Sequence, residues 1–173
     1  AHYEMDDGYI RTKNFTDGTD LSLEPISSLM DDNEDYNDCF TAISSLSPEL
    51  AEQYLKIVWM DTICYNMDRH TENFGFLRDA KSGEIVSMAP NYDNNIALIS
   101  RGYPDDVGRK NDGLIRFFKD FLAENTVARQ MYRNMELPVI TKEVIEQCLE
   151  EIPINVNREY ILSFILNGQA AVQ

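Results

Sequence analysis

Residues 64–79 read CYNMDRHTENFGFLRD, and the short run from Asp68 to Asn73 contains Asp68, Arg69, His70, Glu72 and Asn73. What flanks this polar run decides how the chain is built. Upstream, Leu50, Tyr54, Leu55, Val58, Trp59 and Ile63 recur at three- and four-residue steps, which predicts a helix ending near residue 66. Ser47 can cap that helix, Pro48 suits its first turn, and Glu49 and Glu52 favour its positive end. Downstream, FGFL and EIVSMA read as two short strands joined by the turn RDAKSG. The polar run is therefore a bend between a helix and a hairpin, and the hairpin returns the chain to a second polar cluster, APNYDNN, at 89–95.

Phosphoryl transfer needs groups of this kind. A carboxylate must orient the attacking hydroxyl and take its proton, while oxygen ligands hold Mg²⁺ across the phosphates. Protein kinases place an Asp and, five residues on, an Asn in one loop, with a metal-binding Asp arriving later. Asp68 and Asn73 have that spacing, and Asp93 follows the hairpin. Mg²⁺ prefers oxygen and keeps several waters, so one amide and one carboxylate from the protein suffice. Zinc is disfavoured: His70 could join Asp68 and Glu72, but only His2 would add a second imidazole. A lone Asp after a helix more often stabilises a turn, and the additional presence of Asn73 and Asp93 shifts the balance toward chemistry.

NMDRHTENFGFL followed by MAPNYDNN resembles the C-terminal lobe of the HipA-like serine/threonine kinases, over a core of about 30 residues. The DRHxxN portion is also similar to the catalytic loop of the phosphoinositide lipid kinases. The resemblance implies an α+β, mostly helical fold: a protein-kinase-like C-terminal lobe whose central β-hairpin carries the catalytic loop. It implies Asp68 as catalytic base and Asn73 and Asp93 as the Mg²⁺ and ATP-binding positions. His70 would support the loop or help stabilise transferred charge, and Arg69 would anchor the loop. The implied reaction is Mg-ATP-dependent phosphorylation of Ser or Thr on a protein substrate, or on the protein itself. The implied partner is a small DNA-binding antitoxin.

Several features depart from a whole kinase. No phosphate-covering loop precedes Asp68, and Lys13 lies outside any strand motif suited to pairing phosphates. Residues 1–22 are read as an extended segment holding the last strand of an N-terminal lobe and the hinge, and 23–173 as the helical lobe. The Ala1 start fits a fragment, so the isolated chain is expected to transfer phosphate poorly, its partner lobe lying in cis or in trans. YDNN at Asp93 replaces the DFG of protein kinases. Two other readings stay open. A pseudokinase or interaction module would keep the fold without turnover. A phosphoinositide kinase would want a basic loop after Asp93, whereas 94–113 sets Arg101, Arg109 and Lys110 against Asp105, Asp106 and Asp112.

Charge narrows the partners. The formal net charge is −15, and residues 1–53 carry 13 acidic side chains against Arg11 and Lys13. Such a surface disfavours direct contact with nucleic acid or anionic lipid, so a DNA-binding partner would have to bring the basic surface itself. No apolar run is long enough to span a membrane and no signal peptide opens the chain, which points to the cytoplasm. Cys39, Cys64 and Cys148 form no CxxC pair, and Cys64 and Cys148 are expected as buried thiols.

The remaining segments give elements or rejected motifs. Residues 2–15 read as extended around a Gly8 turn, FTDGTDLSLEP as a loop, 34–45 as a short helix and 101–113 as a polar loop. Helices are expected over 113–134, over 142–151 capped by Thr141, and over 157–168 capped by Asn157 with Gly168 near its end. Leu114, Phe117, Phe118, Phe121 and Leu122 share one helical side and are expected in the core. DDNEDYNDCFTA at 31–42 imitates an EF-hand loop, but Tyr36 replaces the required Gly and Ala42 the chelating Glu. NFT at 14–16 is a chance glycosylation triplet, and Arg109 and Lys110 are expected in a solvated loop.

Overall fold

The helix that leads into the polar bend is the axis of the structure. Ser47, in extended backbone, accepts hydrogen bonds from the N–H groups of Glu49 and Leu50 and starts α3 (Pro48–Cys64) with proline in its first turn. Ten of the seventeen residues of α3 are buried, too many for one face, so the helix is surrounded. α2 (Tyr36–Leu46), α4 (Asp112–Glu124), α5 (Thr126–Asn134) and α7 (Arg158–Val172) all pack against it. The computed structural model describes residues 3–6, 9–31, 35–94, 96–98, 110–152 and 155–173.

α3 stops at Tyr65, whose left-handed backbone (φ 58°, ψ 42°) turns the chain out of the helix. The loop through residue 74 then leads into β4 (Gly75–Asp79), which pairs antiparallel with β5 (Ile85–Met88), the expected hairpin. The sheet has a third strand. β3 (Leu21–Pro25) lies antiparallel on the other edge of β4, where LSLEP had read as loop. Its alternation is faint because Leu23 faces solvent, so the strand is defined by its partner. Leu21 and Ser22 pair with Asp79 and Arg78, so the sheet takes in the last two residues of the segment 1–22. β1 (Tyr3–Asp6) and β2 (Tyr9–Thr12) form a separate antiparallel pair. Gly8 lies outside the described residues.

Gly75 makes the three-stranded sheet possible. A Cβ there would sit 2.2 Å from the carbonyl oxygen of Glu24. That contact is backbone on backbone, so no rotamer change relieves it. Gly75→Ala is expected to lose about 2–3 kcal/mol of stability through displacement of β3, read as a lowered urea midpoint. An unchanged midpoint would show that β3 is dispensable to the lobe.

Further along, the helical stretch expected over 113–134 is divided into α4 and α5. Asn125 adopts extended backbone between α4 and α5, and its Oδ1 accepts from the Ala128 N–H, so it caps the second helix. Its Nδ2 donates to Asn37 Oδ1 at 2.6 Å, a tertiary bond with no local sequence signal. α6 (Lys142–Glu150) starts at Thr141 and α7 at Asn157, both as expected caps. Gly168 is inside α7, which continues to Val172. A Cβ there would approach the Ile63 carbonyl to 3.1 Å, so glycine serves close helix packing and not helix termination. α1 (Ser27–Met30) is a single turn after β3.

The aromatic side of α4 is only partly core. Phe118 and Phe121 are buried, whereas Phe117 is 42% exposed and Leu114 half-buried. Cys148 is also exposed, against the expectation of a buried thiol, because it sits on the outer face of α6. Burial pushes the thiol of Cys39 up to about 11 and that of Cys64 to about 12, so neither is a ready nucleophile. Among the described residues no helix is long and apolar enough to cross a membrane. Asn33 of the imitation EF-hand, and residues 101–109 of the polar loop with Arg109, lie outside the described residues.

Candidate active site

The bend is organised by a buried ion pair. Asp61 is on α3 one step of three beyond Val58, hence on a buried face, and only 1% of its surface is exposed. Arg69 supplies its counter-charge: Nε donates to Oδ2 at 2.7 Å and Nη2 to Oδ1 at 2.9 Å. Such a planar, bidentate fit is open to arginine and not to lysine. Burial acts to lower the guanidinium pKa, but the hydrogen bonds and charge of Asp61 outweigh it and hold Arg69 above its ordinary value.

Arg69 also reaches across the site. Nη1 donates to the carbonyl of Asn73 and, at 2.7 Å, to the carbonyl of Tyr92. Nη2 donates to Asn91 Oδ1 at 2.7 Å and Asn94 Oδ1 at 2.9 Å. The five N–H groups of a guanidinium are thus fully engaged. One side chain clamps the bend to the segment that the hairpin returns. Asp68 precedes Arg69 in the chain, Asn73 accepts from it, and Asp93 lies between two residues that accept from it. The structure therefore brings Asp68, Asn73 and Asp93 to one place.

Asn66, fully buried, adds a second tie. Its Nδ2 donates to Asp61 Oδ1 at 3.0 Å and Asn94 Oδ1 at 3.3 Å. The bend is also pinned from outside, by Thr71 Oγ1 donating to the Asp31 carbonyl at 2.7 Å and by Ile26 N–H donating to the Phe74 carbonyl. Asn91, Asn94, Asn66 and Asp61 belong to this network, and the motif reading did not single them out. Asp61 did leave a signal: a carboxylate on the apolar periodicity of α3, which burial requires to be paired.

The individual groups fit the expected roles to different degrees. Asp68 is half-buried, and no described residue holds its carboxylate. Asn73 is buried and its Nδ2 donates to the Asp68 carbonyl at 2.8 Å, which leaves Oδ1 as the end of the amide available to a cation. Asp93 has φ 53°, a left-handed conformation that Asp tolerates better than most residues and that tends to mark functional sites. His70 is part of a tight turn: its carbonyl accepts from the Asn73 N–H at 2.9 Å and its Nδ1 from the Glu72 N–H at 3.3 Å. Nδ1 is then an acceptor, and Nε2 carries the ring proton in the neutral form. These bonds favour a loop-supporting part for His70. Tyr92 donates its hydroxyl to the Glu72 carbonyl at 3.1 Å, and burial pushes its pKa up to about 12.

The donor set suits a hard cation. Asn73 Oδ1 and the Asp93 carboxylate are both oxygens, the preference of Mg²⁺. Among the described residues no three His, Cys, Asp or Glu side chains converge as a metal site.

The family model of the HipA-like C-terminal domain matches residues 16–156, and the chain belongs to that family. Its fold is similar to that in the crystal structure of a Helicobacter pylori proinflammatory kinase, CtkA, with a TM-score of 0.62 at 17% identity. That likeness covers 93% of this chain and 71% of the other, and at such identity it establishes the α+β kinase-like fold alone. No curated protein matches the chain in sequence.

Proposed function

We propose that the chain is the C-terminal lobe of a Mg-ATP-dependent protein kinase that phosphorylates Ser or Thr on a protein substrate or on itself. The observation that carries this reading is the Arg69 clamp, which unites Asp68 and Asn73 with the Asp93 segment around a buried counter-charge. Asp68 positions the acceptor hydroxyl and takes its proton. Asn73 and Asp93 would hold Mg²⁺ through oxygen; bound Mg-ATP would supply the phosphoryl group, with ADP leaving, and the ion would neutralise the developing charge. His70 holds the turn that sets the Asp68–Asn73 spacing. A phosphate-covering lobe, in cis or in trans, completes the nucleotide site. In this reading the protein works in the cytoplasm beside a small DNA-binding antitoxin, whose basic surface complements the acidic one here.

The test is transfer from labelled ATP with Mg²⁺ by the full-length gene product that contains this chain, followed by phosphoamino-acid analysis. Label on serine or threonine, absent without Mg²⁺, is the expected result. ATP binding without any label would identify a pseudokinase, and label on inositol lipid but not protein would move the acceptor class.

A further inference from the structure

Between the start of α4 and one side of α7 is a cavity of about 450 Å³, inside the range of about 300–1,000 Å³ usual for small-molecule sites. Asp68, Asn73 and Asp93 are not in its wall. α7 contributes Tyr160, Ser163, Phe164, Asn167 and Gly168, a stripe at three- and four-residue steps. Gly168 is where α7 comes down on the Ile63 backbone, so the cavity backs onto the end of α3.

Asn111 carries the argument. It lines the cavity, yet only 6% of its surface is exposed. It stands at the N-cap of α4 but makes no capping bond, because its Nδ2 donates to the Thr62 carbonyl on α3. Its Oδ1 is buried and has no hydrogen-bond partner. Buried amide oxygens are nearly always satisfied, so this one marks a place that wants a donor. Held at Nδ2, the amide cannot turn elsewhere to find one, and the cavity is the open side from which one can come. With the cap unmade, the N–H groups of Asp112, Gly113 and Leu114 meet no acceptor among the described residues. They present a positive helix end to a negative group. Lys110 and Asp112, on either side of Asn111, line the same cavity, and neither has an ion-pair partner among the described residues.

These groups ask for two opposite charges in one ligand. A phosphate would set its charge against Asp112 and the bare Oδ1. A simple amine would face Lys110 and the helix end. A zwitterion answers both, and the remaining wall is apolar: Ile115, with the rings of Tyr160 and Phe164 centred 5.7 Å apart.

We propose that this cavity binds a free α-amino acid with an apolar side chain. Its ammonium donates to Asn111 Oδ1 and faces Asp112. Its carboxylate accepts from the first N–H groups of α4 and faces Lys110. Its side chain lies against Ile115 and Phe164. The site stands apart from the Mg-ATP positions and does not depend on the kinase reading.

Calorimetric titration of the full-length gene product with leucine and with phenylalanine tests it. Each amino acid is compared with its two halves: isoamylamine and isocaproate for leucine, phenethylamine and hydrocinnamate for phenylalanine. At least one amino acid is expected to bind saturably, about tenfold or more tighter than either of its halves, the scale of one charge-assisted bond. Lys110→Met and Asp112→Asn change exposed side chains and should each weaken that binding by about threefold or more. Asn167→Trp, also at an exposed position, should fill the cavity and abolish it. Saturating Mg-ATP should leave it unchanged. The inference is overturned if neither amino acid binds, if the amine or the acid alone binds as tightly, or if binding survives Asn167→Trp. Displacement by Mg-ATP would place the amino acid in the nucleotide site and overturn it as well.

Discussion

Asp61→Leu is expected to lower stability by about 3–5 kcal/mol, enough to bring a domain of this size close to unfolding. The reason is the state of Arg69 after the substitution. Its guanidinium is 1% exposed and would remain buried with no counter-charge, facing only neutral carbonyls and amides. The double variant Asp61→Leu with Arg69→Met should regain most of the loss, because a buried ion pair replaced by apolar side chains of similar volume is often neutral. Urea denaturation of the four proteins in the cycle measures this coupling. The double variant should still fail in phosphoryl transfer. Asn91 and the Tyr92 carbonyl would lose the donor that holds them to the bend, and Asn94 would keep only its bond from Asn66. Recovered stability together with recovered transfer would show that the clamp only fills space.

Asp68→Asn is expected to reduce phosphate transfer by about 10²–10⁴, the usual contribution of a positioned general base. Stability should barely change. The carboxylate of Asp68 is held by no described residue, and its carbonyl, which accepts from Asn73, survives the substitution. Asn73→Ala should behave differently. It removes that internal bond as well as the offered Oδ1, so stability and transfer should fall together. Transfer assays beside thermal melts of the two variants distinguish a base from a turn-former. Full activity in Asp68→Asn would remove Asp68 from the chemistry.

The sequence showed the bend and its hairpin because both rest on local rules. A helix period gives way to two short strands, and Asp68, Asn73 and Asp93 have a recognisable spacing. Ser47, Thr141 and Asn157 marked helix starts for the same reason, each cap being satisfied within three residues. What escaped notice depends on distant partners. β3 is a strand because Gly75 admits its backbone, and the α4–α5 break is set in part by Asn37, 88 positions from Asn125. The clamp is intermediate. Asp61 lay on an apolar stripe and Arg69 eight residues on, so the pair was within reach of the sequence. The links to Asn91 and Asn94 were not, because they exist only once the hairpin has folded back. Phe117 and Cys148 show the limit of periodicity, which assigns a face without saying whether anything covers it.

The central claim is that Asp68, Asn73 and Asp93 form one Mg-ATP site in which binding and chemistry fall to different residues. Calorimetric titration of ATP into the full-length gene product, with Mg²⁺ and then with EDTA, addresses it directly for wild type, Asp93→Asn and Asp68→Asn. Asp93→Asn suits the purpose because asparagine also tolerates the left-handed backbone at that position. Binding that requires Mg²⁺, weakens at least about tenfold in Asp93→Asn and persists in Asp68→Asn is the expected result. Binding indifferent to EDTA, or to the loss of the Asp93 charge, would contradict the account and leave the Arg69 clamp as the support of a turn.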